Sequence, residues 1–206
     1  MTDTPAQMAD HWWWRPGWAE GRRFYTWHLV FDGADDVHRL AADYRLALAG
    51  VPGLDLVPDR WLHLTMQGLG FVDEVGEADA RAIADAAVHH LSKIPTFDLA
   101  LGPAIVTPEA LLLTVDPADP VRAVRAAIRA AIADVWPEAP EPAEGFRPHV
   151  SVAYSNSAGH SRPAADALAG VASYPATARV TSAELIVLGR DRRMYEWESF
   201  ARVPLG

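Results

Sequence analysis

The 206-residue chain contains no cysteine, which excludes disulfides, thiolate metal sites and cysteine nucleophiles together. It has no apolar run near the roughly 18 residues that a helical membrane span needs. No basic segment leads into an apolar stretch at its start, so no signal peptide is expected. Positive charge is also scarce: 18 Lys and Arg stand against 27 Asp and Glu, for a formal net charge of −9. An acidic surface repels polyanions and weighs against strong binding of long nucleic acids, which depends on many Lys and Arg contacts to phosphate. Room remains for a small anionic substrate, or for one RNA end in a local basic cleft. Also missing are a Gly-x-Ser-x-Gly elbow and a His-x-x-x-His pair, the signatures of a serine hydrolase and of a helical zinc site. With 50% apolar and 22% charged residues, the composition is that of a soluble globular protein. A cytoplasmic monomer without membrane contact is expected.

What the chain does have is a regular alternation of strands and helices. Residues 1–21 are polar and then unusually aromatic, with Trp12, Trp13, Trp14 and Trp18 around Arg15-Pro16-Gly17. Pro and Gly make a regular element improbable there, so an irregular arm packed over an apolar patch is expected, with a lid or base-stacking element as the alternative. Residues 22–206 read as one bilobal domain. A strand from Arg22 places Tyr25, Trp27, Leu29 and Phe31 on one face and Phe24, Thr26, His28 and Val30 on the other. A helix opens at Asp35 and Asp36 and runs to about Ala49. A strand through Trp61, His63 and Thr65 ends at Gly68 and Gly70, and a helix follows from about Glu77 to Ser92. Strands at 96–106 and 110–116 precede a helix started by Pro120, with Val121, Val124, Ile128, Ile132 and Val135 at helical spacing. After a Pro/Glu-rich loop come a strand from Pro148 to Tyr154, a short helix near 163–172, and strands at about 176–189 and 193–203. This order suggests two similar α+β lobes, each supplying one histidine strand.

His-x-Ser/Thr occurs three times, where eight His and 17 Ser or Thr would give about 0.7 by chance. On a strand, residues two apart point to the same side. Trp61, His63, Thr65 and Gln67 therefore share a face opposite Leu62, Leu64 and Met66. His149, Ser151 and Ala153 share one opposite Val150, Val152 and Tyr154, which leaves Tyr154 as a packing residue. The third match, His90 with Ser92, falls at a helix end, where a two-residue step turns the side chains apart; His89 and His90 suit the helix dipole instead. Two imidazoles that titrate near neutrality serve as acid and base on opposite sides of a phosphodiester. Neighbouring hydroxyls donate to its non-bridging oxygens.

The segments His63-Leu64-Thr65-Met66 and Arg147-Pro148-His149-Val150-Ser151-Val152-Ala153-Tyr154 resemble the paired motifs of the 2H phosphoesterases, also called the 2′-5′ RNA ligase-like superfamily. The resemblance extends by motif order and element order from about residue 22 to 204. It implies an α+β fold, bilobal, with two antiparallel sheets forming a central cleft and helices packed on the outside. It also implies cyclic phosphodiesterase or RNA-end chemistry, including 2′-5′ RNA ligation, without metal or other cofactor. Carried over, His63 and Thr65 match the first motif, and His149 and Ser151 the second. The expected substrate is a small cyclic phosphodiester, a nucleotide or a short RNA end. A non-catalytic RNA-end or nucleotide-binding module on the same fold is the alternative.

Candidate substrate-binding residues surround this pair. His28 shares a face with Thr26, either at the cleft or as a structural histidine. Arg147 precedes the second motif, and Arg190, Arg192 and Arg193 flank the last turn, where a guanidinium can neutralise phosphate. Arg193, Tyr195 and Trp197 alternate onto one strand face, which offers a charge, a hydroxyl and a stacking ring together.

Overall fold

Each helix of this protein carries one apolar stripe, and the stripe decides which sheet it covers. The computed structural model describes residues 4–172 and 174–206. In chain order come β1 (Gln7–Met8), β2 (Phe24–Val30), α1 (Asp35–Leu48), β3 (Leu54–Leu56), β4 (His63–Phe71), α2 (Glu77–Leu91), β5 (Phe97–Val106) and β6 (Ala110–Asp116). They are followed by α3 (Ala118–Ala133), β7 (His149–Ser155), β8 (Gly159–His160), α4 (Arg162–Ala169), β9 (Ala176–Val180), β10 (Ser182–Gly189) and β11 (Glu196–Pro204). Two antiparallel sheets result, a four-stranded one of order β11-β10-β2-β4 and a five-stranded one of order β3-β7-β6-β5-β9. β1 and β8 form a small separate pair.

α2 and α3 lie against each other and against the four-stranded sheet, burying Ile83, Ala87 and Leu91 from one helix and Val121, Val124 and Ile128 from the other. α1 and α4 cover the five-stranded sheet, with Val37, Leu40, Tyr44 and Leu48 of α1 turned inward. Burying a side chain of this size contributes roughly 1.5–3 kcal/mol, so these stripes fix the helices more firmly than their ends do. Among the described residues no α-helix has a side-chain N-cap; acidic residues in the first turns of α1, α2 and α3 complement the dipoles instead. No helix among the described residues is long and apolar enough to cross a membrane.

The expected α+β architecture of two sheets around a cleft is present, with three departures from the sequence reading. First, the strand expected over 176–189 is two strands. β9 pairs with β5 in one sheet and β10 with β2 and β11 in the other, and only Thr181 lies between them. Second, the sheets do not follow the halves of the chain. The C-terminal β10 and β11 complete the sheet of His63, while β3, from the first half, joins the sheet of His149. Third, β4 and β7 are bulged. Pairs Trp27–Gln67 and His28–Thr65 leave Met66 as an extra residue, and pairs Leu111–Ala153 and Leu112–Ser151 leave Val152 as another. A bulge reverses the phase of every residue beyond it.

Beyond the short strand β1, the described part of the N-terminal arm is irregular, and backbone and side-chain bonds fix its position. Backbone N–H groups of Ala9 and His11 donate to the carbonyls of Pro108 (2.7 Å) and Ser155 (2.8 Å). The buried Trp12 indole donates to Asp55 at 2.8 Å. These bonds hold the arm across one end of the cleft between the sheets.

Candidate active site

His63 begins β4 directly after a tight turn over Asp59–Trp61, and His149 begins β7 after Arg147-Pro148. The two imidazoles are tethered in the same way. Nδ1 of His63 donates to the carbonyl of Trp61 at 2.8 Å, and Nδ1 of His149 donates to the carbonyl of Arg147 at 2.9 Å. A carbonyl only accepts, so each bond assigns the ring hydrogen to Nδ1 and leaves the Nε2 lone pair available. Both rings line one cavity of about 670 Å³ between the sheets. His63 is buried and His149 exposed. Burial is the main reason that the His63 pKa falls to about 4; the Trp61 carbonyl acts against the fall and His149 adds to it.

A ring system stands behind His63. His28 is fully buried and stacks on it, with centroids 4.3 Å apart and planes within 7°. The edge of Trp197 meets both imidazoles, at 5.1 Å from His63 and 5.4 Å from His28, and Trp197 itself contacts Trp61 at 4.7 Å. Burial, and then the neighbouring His63, hold His28 well below its ordinary pKa. Its Nε2 lies 3.4 Å from the Thr65 hydroxyl, while its Nδ1 has no partner among the described residues. Thr65 lies on the cleft side of β4 and is exposed, opposite His28 in register. His28 is among the residues that line the cavity, beside His63 and Thr65, whereas Trp197 is not and meets both histidines by its edge.

On the opposite wall, Ser151 is buried two residues beyond His149 and lines the cavity. Tyr154 lines it too, contrary to the packing role expected from simple alternation. The extra residue Val152 turns Tyr154 onto the side of His149 and Ser151. Burial raises the Tyr154 phenol above its ordinary pKa, with the Ser151 hydroxyl acting the other way. Gln67 shows the converse effect: the bulge at Met66 takes it off the Thr65 face, and it is buried against Arg129 at 2.8 Å. Tyr195 lines the cavity, and its hydroxyl meets His11 Nε2 at 2.9 Å.

Charge in the cleft runs against the charge of the molecule. Arg15, Arg125, Arg147 and Arg190 line it, with Glu109 and Glu141 as the opposing carboxylates. Arg147 is exposed at the mouth. Arg125 is committed to structure: its guanidinium donates to the carbonyls of Met66 (2.8 Å), Ala143 (2.8 Å) and Pro142 (2.9 Å). Arg193 does not line the cavity; it sits in the turn before β11 at φ 51°, a left-handed conformation. Among the described residues no three His, Cys, Asp or Glu side chains cluster as metal ligands do. Sequence reasoning missed His11, Arg125 and Glu141 as cavity residues and weighed Arg190 only as one of three turn cations. Arg-Asp-Arg in a turn reads as solvated, and nothing local shows that the distant arm folds over Arg190.

A family model described as the 2′-5′ RNA ligase superfamily matches residues 33–192. Among solved structures, the chain resembles Thermus thermophilus TT0787 at a TM-score of 0.66 and 17% identity, covering 89% of this chain and 97% of that one. It resembles Escherichia coli LigT complexed with 3′-AMP at a TM-score of 0.64 and 18% identity, covering 89% and 98%. LigT has also been crystallised with ATP, with phosphate and with NADP+. None of the curated protein sequences matches the chain. At these identities the structural likeness speaks for the fold alone, while the sequence match spans most of the chain. The protein belongs to the 2′-5′ RNA ligase superfamily.

Proposed function

We propose that the protein is a phosphodiesterase that opens 2′,3′-cyclic phosphates or cleaves 2′-5′-linked RNA ends and nucleotides, with His63 and His149 as its acid–base pair. The observation that carries this reading is the matched tethering of the two rings, each through Nδ1 to the carbonyl two residues earlier. It leaves two free Nε2 atoms at one cavity. His63 is held neutral at pH 7 by its burial, which suits a general base; its Nε2 takes a proton from the attacking water. His149 is exposed to solvent, which suits a general acid that is reprotonated from water; its Nε2 delivers a proton to the departing ribose oxygen. Thr65 and Ser151 donate to the non-bridging oxygens, where negative charge gathers in the transition state. Arg147 at the mouth attracts the phosphate, and Tyr195 bounds the substrate on the far side. With a ribose 5′-hydroxyl in place of water as the nucleophile, the same roles open the cyclic phosphate, release its 3′-oxygen and join a 2′-5′ bond. No step in this scheme is routed through a metal.

The reading draws support from the family and from the nucleotides with which LigT was crystallised. Its test is turnover of 2′,3′-cyclic nucleotides, 2′-5′-linked dinucleotides and ADP-ribose cyclic phosphate, with and without EDTA. At least one should be cleaved at an undiminished rate in EDTA. His63→Ala and His149→Ala should each abolish most of that activity, and turnover that survives either change sinks the assignment. Whether a 2′- or a 3′-phosphate is released identifies the leaving oxygen.

A further inference from the structure

The arm end of the cleft holds cations that the acid–base chemistry does not use. Arg190 is 3% exposed and lines the cavity, yet no carboxylate among the described residues bonds it. Its Nη2 donates to the carbonyls of His11 (3.1 Å) and Trp13 (3.2 Å), and its Nη1 has no partner among those residues. The rings of Trp12, Trp14, Trp18 and Tyr195 surround the guanidinium at 5.4–5.9 Å. Aromatic faces attract a cation, but they accept no directed hydrogen bond as an oxygen does. A buried N–H without an acceptor is costly and uncommon in a folded protein. A second such group stands nearby: Nε of Arg15 is buried without a partner, and its Nη2 is held by Glu109 at 2.7 Å. Arg15 and Glu109 both line the cavity. Tyr195 links this corner to the reaction centre, its ring 6.0 Å from that of His63 and 5.8 Å from the Arg190 guanidinium.

We propose that Arg190 and Arg15 form a second oxyanion subsite, which holds a terminal phosphate that the substrate carries apart from its reacting phosphodiester. The ligand phosphate accepts from Nη1 of Arg190 and from Arg15, and it displaces Glu109, which pairs with Arg15 in this structure. Charge-assisted bonds to phosphate are the strong ones for a guanidinium. The substrate class is thereby narrowed to nucleotides with two phosphate positions, such as a 5′-phosphorylated nucleoside 2′,3′-cyclic phosphate. Arg15 and the three tryptophans precede residue 33, where the family match begins, while Arg190 lies within the matched residues. The inference rests on the phosphodiesterase reading for the other half of the substrate.

An equilibrium measurement separates the two. Calorimetric titration with adenosine 3′,5′-bisphosphate and with 3′-AMP compares ligands that differ only by the second phosphate. The bisphosphate should bind at least about tenfold tighter, a difference of about 1.4 kcal/mol. Arg15→Gln and Arg190→Lys should bring the ratio towards one, and Glu109→Gln should raise it. Opposite signs from two partners of one ion pair are not produced by a loosened arm, and tryptophan emission checks that the arm stays folded in Arg190→Lys. A ratio near one in the wild type, a ratio that none of the three changes moves, or no binding of either nucleotide overturns the subsite. If the ratio behaves as expected but no cyclic phosphate is turned over, the phosphodiesterase reading fails and the subsite stands.

Discussion

In the proposed reaction two imidazoles with the same tether take opposite roles, and their surroundings distinguish them. His63 sits under a stack of His28 and against the edge of Trp197, whereas His149 faces solvent. General acid–base groups of this kind are typically worth about 10²–10⁴-fold in rate. His149→Ala should therefore lower kcat on the best cyclic substrate by that order, with little change in melting temperature, because the side chain buries little. His28 stacks behind His63, and its effect is expected to travel through that ring. His28→Ala opens space behind the imidazole, admits water and weakens the burial that holds the His63 pKa at about 4. The acidic limb of the pH–rate profile should then move to higher pH and the NMR titration of His63 should move with it, while KM changes less than kcat. A lower kcat with an unmoved limb would mean that His28 matters only for packing.

At the scale of elements, the cleft depends on the edge of β4. Gly68 lies there, and a Cβ on it would stand 2.6 Å from the Glu141 carboxylate and 2.8 Å from the Phe24 ring. The close approach lets Glu141 accept from the Gly68 N–H at 3.1 Å and from Gln67 at 3.2 Å. Together with Arg125 on three carbonyls, these bonds bind the Pro/Glu-rich loop to the strand that carries His63. Gly68→Ala should push the loop off. The expected result is a loss of about 1–3 kcal/mol, as for other overpacked sites, read as a lower urea midpoint. Limited proteolysis should also cut faster between residues 137 and 147, and an unchanged cleavage rate would detach the loop from this glycine.

For the molecule as a whole, pH acts through the buried histidines. His11, His28 and His63 all have depressed pKa values, chiefly from burial, with His11 at about 3 and His63 at about 4. In the unfolded chain they titrate near 6.5. Above that pH both states are neutral at these sites and stability is complete. As pH falls below 6.5 the unfolded state takes up protons that the folded state refuses, so stability drops until about pH 4 and further towards 3. Urea midpoints at pH 7.5, 6 and 5 should decline in that order, and His11→Gln should flatten the decline. A midpoint that stays level from pH 7.5 to 5 would contradict the burial of these rings. Net charge belongs to this scale too. The −9 chain should bind a short RNA end no less well than a long strand, since four arginines line the cleft while the molecule as a whole is acidic; fluorescence anisotropy against oligonucleotide length checks this.

Period and composition by themselves determined the helices α1 to α4, the strands β2, β4, β5, β6, β7 and β11 to within a few residues, and the shared faces of His63 with Thr65 and of His149 with Ser151, but not the short strands β1, β3 and β8. These are local consequences of side-chain spacing, so a single chain reveals them. The absence of cysteine and the scarcity of basic residues likewise bounded the chemistry without any structure. Only the tertiary structure decided which sheet each strand joins, because hydrogen bonding between strands distant in sequence leaves no local trace; the split at Thr181 is the clearest case. The bulges at Met66 and Val152, which turn Gln67 out of the cleft and Tyr154 into it, are equally invisible to a count of two. So is the burial of Arg190 beneath the aromatic arm, since it joins residues 11–18 to residue 190. The histidines could be found from spacing, but their different environments arise from packing that no local pattern encodes.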